Sequence, residues 1–236
     1  MAITDHFLIT CEHGGNRIPS RYRHLFADIE ALLQTHRGCD AGALALAEEL
    51  AKARAAPLFF STTSRLLIDL NRSPGHPRLY SEATRGAPDS IRAEILERYY
   101  LPYRNKVEAK IAEAIAHGRR VIHVASHSFT PVLEGTVRNA DIGLLYDPAR
   151  SREVELCRRW QAQLRVLAPN LKVRRNYPYT GKSDGLTAYL RRRFPAEVYI
   201  GIELEINQKH VFSGGRHWRD LRGRVIEALC RAMTGR

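Results

Sequence analysis

Short apolar runs alternate with longer amphipathic stretches along the whole chain, which is the pattern of alternating strands and helices. The apolar runs predict strands at 7–11, 57–61, 66–70, 120–125, 142–146, 172–175 and 198–206. Apolar positions at helical spacing predict helices at roughly 22–35, 41–55, 90–117, 152–167, 185–193 and 218–233. This order predicts an α/β fold with a mixed, mainly parallel central sheet flanked by helices on both faces.

The elements follow one another without a repeat, a low-complexity segment or a clear linker. We therefore expect residues 1–236 to form a single domain, a length that allows a substantial core. The longest irregular stretch is 71–88, which is rich in proline and glycine. Loops of this length inside compact domains are often functional.

Composition is that of an ordinary globular protein, with 44% hydrophobic and 26% charged residues. No apolar run approaches the roughly 20 residues of a membrane span, so no membrane association is expected. Residues 1–6 lack the basic and apolar regions of a signal peptide, which predicts a cytoplasmic protein. The four cysteines form no CxxC pair, which argues against a zinc ribbon and a disulfide framework.

The chain is basic, with a formal net charge of +12 and a pI near 9.9. Because the lysines and arginines are dispersed and no nucleic-acid-binding motif accompanies them, a solvated surface or the attraction of a small anionic substrate is favoured. A basic nucleic-acid-binding α/β domain remains the non-enzymatic alternative.

Three strand-like runs end on residues that are suited to hold or use a metal ion. His13 follows the first strand in the sequence Glu-His-Gly-Gly. His127 lies just after the run at 120–125, and Glu205 lies near the end of the run at 198–206. Ligands of open α/β sheets bind beyond the carboxyl ends of the strands. The pattern therefore predicts a metal-dependent hydrolase.

Individual positions within these runs differ in their expected roles. His127 is favoured over His123, which lies further from the strand end and is interpreted as a core residue. Glu203 and Glu205 alternate with apolar residues and share one face of the strand. Either they pair with nearby arginines, or Glu205 is a general base supported by Glu203.

Two further segments contribute candidate residues. Arg65, Asp69 and Arg72 surround the predicted strand at 66–70, and arginine is well suited to a bidentate grip on a carboxylate. Asp40 precedes the helix at 41–55, where an N-cap is the favoured interpretation and a metal ligand the alternative.

Cys11 raises a competing chemistry. It lies two residues before His13 on an extended segment, so the two side chains are expected to face the same way. A Cys11–His13 nucleophile–base pair would make the protein an amidase that needs no metal. A buried, inert thiol is the other interpretation.

An ordered set of motifs resembles the N-formylglutamate amidohydrolase family. The matching segments run in the same order as in the family, at 11–19, 64–72, 126–130, 141–146, 176–179 with 183–185, and 201–208. The resemblance implies the fold group of the zinc carboxypeptidases, described as phosphorylase/hydrolase-like, with one zinc ion. It also implies a small substrate that carries a carboxylate and an N-formyl or N-acyl amide, such as N-formylglutamate.

The resemblance also implies roles for individual residues. It makes His13 and His127 zinc ligands and Glu205 the general base, and it places the substrate carboxylate on Asn71 and Arg72. The roles of polarising the scissile carbonyl or gripping a second carboxylate fall to Arg65 or Arg138.

One position departs from the pattern of the carboxypeptidase relatives. Their first histidine and a glutamate ligand form an HxxE motif, whereas the fourth position here is Asn16. The third zinc ligand is therefore expected elsewhere, with Asp40 favoured and Glu12 the alternative.

Overall fold

The computed structural model describes residues 4–234 of the chain. The expectation that no signal peptide is present rests partly on residues 1–3, which lie outside the described residues. Among the described residues, no helix is both long enough and apolar enough to cross a membrane.

A central six-stranded sheet organises the fold. Its strands are β1 (Asp5–Cys11), β2 (Leu58–Phe60), β3 (Arg120–Phe129), β6 (Ile142–Leu145), β7 (Val173–Arg175) and β8 (Tyr199–Asn207). The spatial order is β2-β1-β3-β8-β6-β7, in which the first four strands are mutually parallel and β6 runs antiparallel to β8. A short hairpin, β4 (Val132–Leu133) with β5 (Thr136–Val137), lies apart from this sheet. The prediction of a mixed, mainly parallel sheet is confirmed.

Helices cover both faces of the sheet, as predicted. The helices are α1 (Ala43–Ala53), α2 (Glu82–Arg85), α3 (Asp89–Ile95), α4 (Leu101–Ala116), α5 (Ser151–Leu167), α6 (Leu186–Arg193), α7 (Gln208–Phe212) and α8 (Gly215–Thr234). The larger core lies between one face and α1, α5 and α8, while α4 and α6 pack on the other face. A separate apolar cluster joins the segment at 66–70 to the helical segments on either side of it.

Several predicted elements differ from the structure. Residues 66–70 form turns instead of a strand, although their apolar side chains are buried. The predicted helix at 22–35 is a 3₁₀ segment, Ser20–Gln34, with non-helical backbone at Ile29. The predicted helix at 90–117 is interrupted by a π turn, Leu96–Tyr100, between α3 and α4. The sequence pattern missed α2, α7 and the β4–β5 hairpin.

Candidate metal centre and active site

The carboxyl ends of β1, β3 and β8 lie side by side at one edge of the sheet. His13 follows β1, and the pairing of β3 with β8 sets His127 opposite Glu205. All three side chains line one cavity of about 920 Å³ at this edge. The structure thus brings the three strand ends together at one cavity, because parallel neighbours in a sheet end on the same side.

Asp40 joins these strand ends from the segment before α1. The prediction that Asp40 caps α1 is wrong, because the N-cap is Gly42 in a left-handed conformation (φ 77°), without a side-chain capping hydrogen bond. The Asp40 N–H donates to the His13 carbonyl at 2.9 Å, which fixes this segment beside β1. Its carboxylate is thereby free to face the two histidines.

His13, Asp40 and His127 form a buried cluster whose candidate ligand atoms lie within 4.8 Å of one another. Asp40 Oδ2 lies 3.4 Å from His13 Nδ1 and 2.9 Å from His127 Nδ1. Two imidazoles and a carboxylate are a donor set that zinc accepts, and three protein ligands are the usual number at a catalytic zinc site.

A second carboxylate stands behind His13. His13 Nε2 lies 2.7 Å from Asp69 Oδ1, which also accepts the Asn71 N–H at 2.9 Å. Arg65 pairs with Asp69 Oδ2 at 2.7 Å and with Asp40 Oδ1 at 3.4 Å. One buried carboxylate therefore links His13 to the segment that carries Asn71.

Glu12 stands behind His127 in the same way. Glu12 Oε2 lies 3.0 Å from His127 Nε2 as an ion pair that is not aligned as a hydrogen bond. The other oxygen, Oε1, accepts the Tyr103 hydroxyl at 2.9 Å. Both oxygens of Glu12 therefore contact groups on the far side of His127 from Asp40. Glu12 supports a candidate metal ligand and is not itself part of the cluster.

Electrostatics at the cluster favour a bound cation. Burial opposes ionisation of Asp40, but His13, His127 and Arg65 outweigh it and hold the pKa of Asp40 well below its usual range. Burial likewise opposes the charged form of His127, yet Asp40 and Glu12 raise its pKa well above the usual value. The site thus concentrates ionised carboxylates in a region of low dielectric constant.

The donor set and its surroundings fit a metal ion. Each histidine directs Nδ1 to the centre and Nε2 to a carboxylate, an arrangement that fixes the ring and strengthens a metal ligand. Metal sites in proteins are recognised by this combination of convergent donors and an outer set of carboxylates. We conclude that His13, Asp40 and His127 are able to hold a divalent cation.

Glu205 has the properties of a candidate base. Burial raises the pKa of its carboxyl to about 8; Asp40 and Glu203 add to the shift, whereas His127 and Arg65 oppose it. Its Oε2 is buried and has no hydrogen-bond partner within residues 4–234. A cation at the cluster would favour the ionised form, which is the form that accepts a proton.

Glu203, the second carboxylate on this face of β8, has a different environment. Its Oε1 accepts the hydroxyl of Thr187 in α6 at 2.6 Å. Neither Glu203 nor Glu205 forms a salt bridge with an arginine among the described residues. The alternative in which local arginines pair with these carboxylates is therefore wrong, and Glu203 lies beside Glu205 on the cavity wall.

Three of the residues proposed to bind substrate line the cavity. Arg65, Asn71 and Arg72 all lie on its wall. Asn71 Oδ1 accepts the Leu186 N–H at 2.6 Å, and Arg72 Nη1 donates to the Asp184 carbonyl at 2.5 Å. These bonds anchor the start of the long loop to the beginning of α6.

Arg138 lies further back than the other arginines. Its guanidinium donates to the Tyr179 hydroxyl at 2.9 Å and lies 5.0 Å from the centre of that ring. Tyr179 lines the cavity, and Arg138 does not. The structure therefore brings Arg138 to the site through Tyr179.

The loop after β1 packs against two other segments of the chain. Asn16, which replaces the glutamate of the HxxE motif, donates to the Leu33 carbonyl at 3.0 Å and lies outside the cluster. At Gly15, an added Cβ would lie 2.6 Å from the Thr62 carbonyl oxygen. The glycine allows this loop to pack against the chain that follows β2.

The competing nucleophile does not reach the cavity. Cys11 is fully buried within the core that packs against α1, and it is absent from the cavity wall. Burial raises the pKa of its thiol well above the usual range, with the charges of Glu12 and Asp40 acting in the same direction. Cys11 is therefore the inert thiol of the second interpretation. His123 is also a core residue, as predicted, held by Thr10 and Tyr199.

Three residues of the site had no role assigned from the sequence, although Tyr179 lies in the matching segment 176–179. Tyr103 reaches Glu12 from α4, Thr187 reaches Glu203 from α6, and Tyr179 borders the cavity. Each lies on a helix or loop whose spatial relation to the strand ends is fixed only by tertiary packing. A polar aromatic residue inside an apolar helix face was the one available signal for Tyr103.

A polar cavity at the carboxyl edge of a mainly parallel sheet, with a three-residue candidate metal centre and a perturbed carboxyl, is typical of α/β enzymes. Residues 5–212 match the sequence profile of the N-formylglutamate amidohydrolases, and the chain belongs to this family of amidohydrolases.

Two solved structures resemble the fold over nearly its whole length. A gene product from Agrobacterium tumefaciens is 30% identical with a TM-score of 0.83, and the match covers 97% of this chain and 90% of that one. An N-formylglutamate amidohydrolase from Ralstonia eutropha is 19% identical with a TM-score of 0.73, covering 98% and 94% of the two chains. No curated protein matches the sequence.

Proposed function

We propose that the protein is a zinc-dependent amidohydrolase that cleaves the N-formyl or N-acyl amide of an acidic amino acid, such as N-formylglutamate. The observation that carries the proposal is the convergence of His13, Asp40 and His127 beside Glu205 in a buried polar cavity. Membership of the family supports the reaction type and the substrate class. We expect the enzyme to act in the cytoplasm.

The proposed metal ligands are His13, Asp40 and His127, and one zinc ion fits this set. When bound there, zinc would supply Lewis-acid polarisation of the scissile carbonyl and would lower the pKa of water towards about 7. The carboxylates of Asp69 and Glu12 hold the two imidazoles in place from behind.

Glu205 is the proposed general base. Its unpartnered Oε2 removes a proton from the water that attacks the formyl or acyl carbon. The same carboxyl then delivers this proton to the nitrogen of the leaving amine, so the products are formate, or another acid, and the amino acid. Glu203 lies beside Glu205 and is itself held by Thr187.

Asn71 and Arg72 are proposed to hold the substrate α-carboxylate. Both line the cavity, and Arg72 retains a buried Nε that has no hydrogen-bond partner in the described part of the chain. Such a donor gains a charge-assisted hydrogen bond when a carboxylate arrives. The Tyr100 hydroxyl fixes the Arg72 carbonyl at 2.7 Å, which limits the movement of this segment.

Arg65 is the arginine best placed to stabilise negative charge on the carbonyl oxygen. It borders the cavity while its ion pairs with Asp40 and Asp69 orient the guanidinium. Preorganised charge of this kind stabilises a transition state without costly rearrangement. Arg138 would act less directly, by positioning Tyr179.

Glu205→Gln tests the proposal. The variant should bind zinc as the wild type does and lose about 100- to 10,000-fold in kcat, because the amide cannot carry the proton. Formate and glutamate release from N-formylglutamate measures turnover, and metal analysis of the same sample measures zinc. A panel of other N-acyl amino acids defines the acyl group and side chain. Full activity in Glu205→Gln would contradict the assignment of the base.

A further inference from the structure

Glu12 lies between the candidate metal ligand His127 and helix α4. The residue is fully buried, and its two oxygens face in different directions. Oε2 lies 3.0 Å from His127 Nε2, and Oε1 lies 2.9 Å from the Tyr103 hydroxyl.

Tyr103 reaches Glu12 from the first turn of α4. Its ring forms part of a surface cavity of about 330 Å³, while its hydroxyl points inward, where the Phe59 carbonyl lies 3.2 Å away. A phenol has one proton to donate, and the ionised carboxylate is both the closer and the stronger acceptor. Burial raises the pKa of Tyr103 well above its usual range, so the hydroxyl remains a donor.

The π turn that precedes α4 sets the direction of Tyr103. Leu96–Tyr100 adds a residue to the helical path between α3 and α4. A regular helix turns by about 100° per residue, so without this wide turn the residues after it would point elsewhere. Tyr103 thereby reaches Glu12 at the end of β1, and Arg104 donates to the Leu70 carbonyl at 3.0 Å.

We infer that Tyr103 is a positioning residue for the metal centre, whose hydroxyl holds the Glu12 carboxylate against His127. This inference rests on the proposed metal site, because it concerns the affinity of His127 for a metal ion. The line of contacts runs from α4 through Tyr103 and Glu12 to the distal nitrogen of His127. Neither Glu12 nor Tyr103 lines the 920 Å³ cavity.

The physical basis is the cost of an unsatisfied buried charge. Removing the hydroxyl leaves Glu12 Oε1 without its hydrogen bond inside the protein, and the carboxylate then rotates towards other donors. The carboxylate no longer holds the His127 ring in the orientation that presents Nδ1 to Asp40. Loss of such an outer partner typically costs 10- to 100-fold in metal affinity.

Tyr103→Phe tests the inference because it removes the hydroxyl and keeps the ring. The zinc dissociation constant is measured by competition with a chromophoric chelator, and the absorption spectrum of the Co²⁺-substituted protein reports ligand geometry. We expect zinc affinity to fall by about 10-fold, the lower end of the range for outer partners. The zinc affinity of Glu12→Gln should fall at least as far, since this change alters the group that contacts His127 directly.

Tyr189→Phe is the matched control. Tyr189 also donates its hydroxyl to a glutamate, Glu108, at 2.7 Å, but this pair lies outside the metal centre. The zinc affinity and the Co²⁺ spectrum of Tyr189→Phe should equal those of the wild type. Thermal melts of the metal-free proteins separate a loss of fold from a loss of zinc affinity. If Tyr103→Phe does not fold, the zinc affinity of Glu12→Gln is measured instead.

The outcomes distinguish this inference from the proposed function. If wild-type protein binds zinc and Tyr103→Phe binds it equally or more tightly with an unchanged Co²⁺ spectrum, the inference is overturned and the metal site stands. If wild-type protein binds no zinc, the proposed function itself fails. Weaker binding in Tyr103→Phe and Glu12→Gln, but not in Tyr189→Phe, supports the positioning role.

Discussion

Glu205 depends on its neighbours for its chemical character. The carboxyl lies opposite His127 on one side and opposite Gly143 on the other, in the centre of the sheet. Because it is buried near Asp40 and Glu203, its pKa rises to about 8. A carboxyl with a raised pKa and no protein partner is a frequent sign of a catalytic acid or base.

Cys11→Ala separates the two possible chemistries at the level of one residue. Because the Cys11 side chain lies in the core and outside the cavity, we expect kcat to stay within about twofold of the wild-type value, and any loss to appear in stability as about 1 kcal/mol. Formate release and urea unfolding measure the two quantities. Complete loss of turnover in a folded Cys11→Ala protein would favour the thiol nucleophile instead.

The strand pattern indicated three of the four residues at the centre of the candidate site, and the family resemblance added Asp40. His13, His127 and Glu205 each come near the end of an apolar run, so the strand pattern alone was enough to place them together. Asp40 gave a weaker signal, because an aspartate before a helix is most often an N-cap. Only the packing of the 38–42 segment against β1 turns this carboxylate to the histidines.

Among the elements, strand β6, which runs antiparallel to β8, shapes the site through the close packing of its glycine. Gly143 packs so closely that an added Cβ would lie 2.1 Å from the Tyr177 carbonyl oxygen and 3.2 Å from the Glu205 Cβ. The glycine thus lets the 176–181 segment, which carries Tyr179, lie over the strand next to Glu205.

Gly143→Ala should therefore destabilise the protein by about 1–3 kcal/mol or more, because the clash is with backbone that cannot easily move. Gly223→Ala is the control. Gly223 lies in the exposed interior of α8 with open space around it, so alanine should stabilise by about 0.5–1 kcal/mol. The free energy of unfolding in urea measures both changes. Equal stability of Gly143→Ala and the wild type would contradict this prediction, because it would show that the Tyr177 backbone moves aside without destabilising the protein.

The elements that sequence failed to predict have physical causes. Leu66, Leu67 and Ile68 form an apolar run like a strand, but they fill the pocket between the 3₁₀ segment and α3 and find no strand to pair with. The π turn carries no proline or glycine that would mark it, since helical spacing continues on both sides. Periodicity reports which residues are buried more securely than it reports their backbone conformation.

At the scale of the whole molecule, charge is distributed unevenly. The chain has a formal net charge of +12, yet five carboxylates are buried around the candidate metal centre, those of Glu12, Asp40, Asp69, Glu203 and Glu205. The excess positive charge would favour an anionic substrate, and the buried carboxylates would favour a cation. The sequence predicted the first property from composition; the second required the fold.

This distribution predicts that zinc stabilises the fold. At a free zinc concentration 100 times the dissociation constant, binding to the native state alone adds about 2.7 kcal/mol to the free energy of unfolding. The shift in thermal midpoint should disappear in Asp40→Asn and persist in Glu49→Gln, which alters a partly exposed ion pair with Arg222. A zinc-induced shift of equal size in Asp40→Asn would place the metal elsewhere.

The central claim is that a zinc ion held by His13, Asp40 and His127 is required for hydrolysis of an N-formyl amino acid. The most direct test is formate release from N-formylglutamate by one protein preparation, measured as isolated, after removal of metal by chelation and dialysis, and after titration with zinc. Metal-free protein should be inactive, and activity should return in proportion to bound zinc and reach its maximum at one ion per chain. Full turnover by the metal-free protein would contradict the central claim.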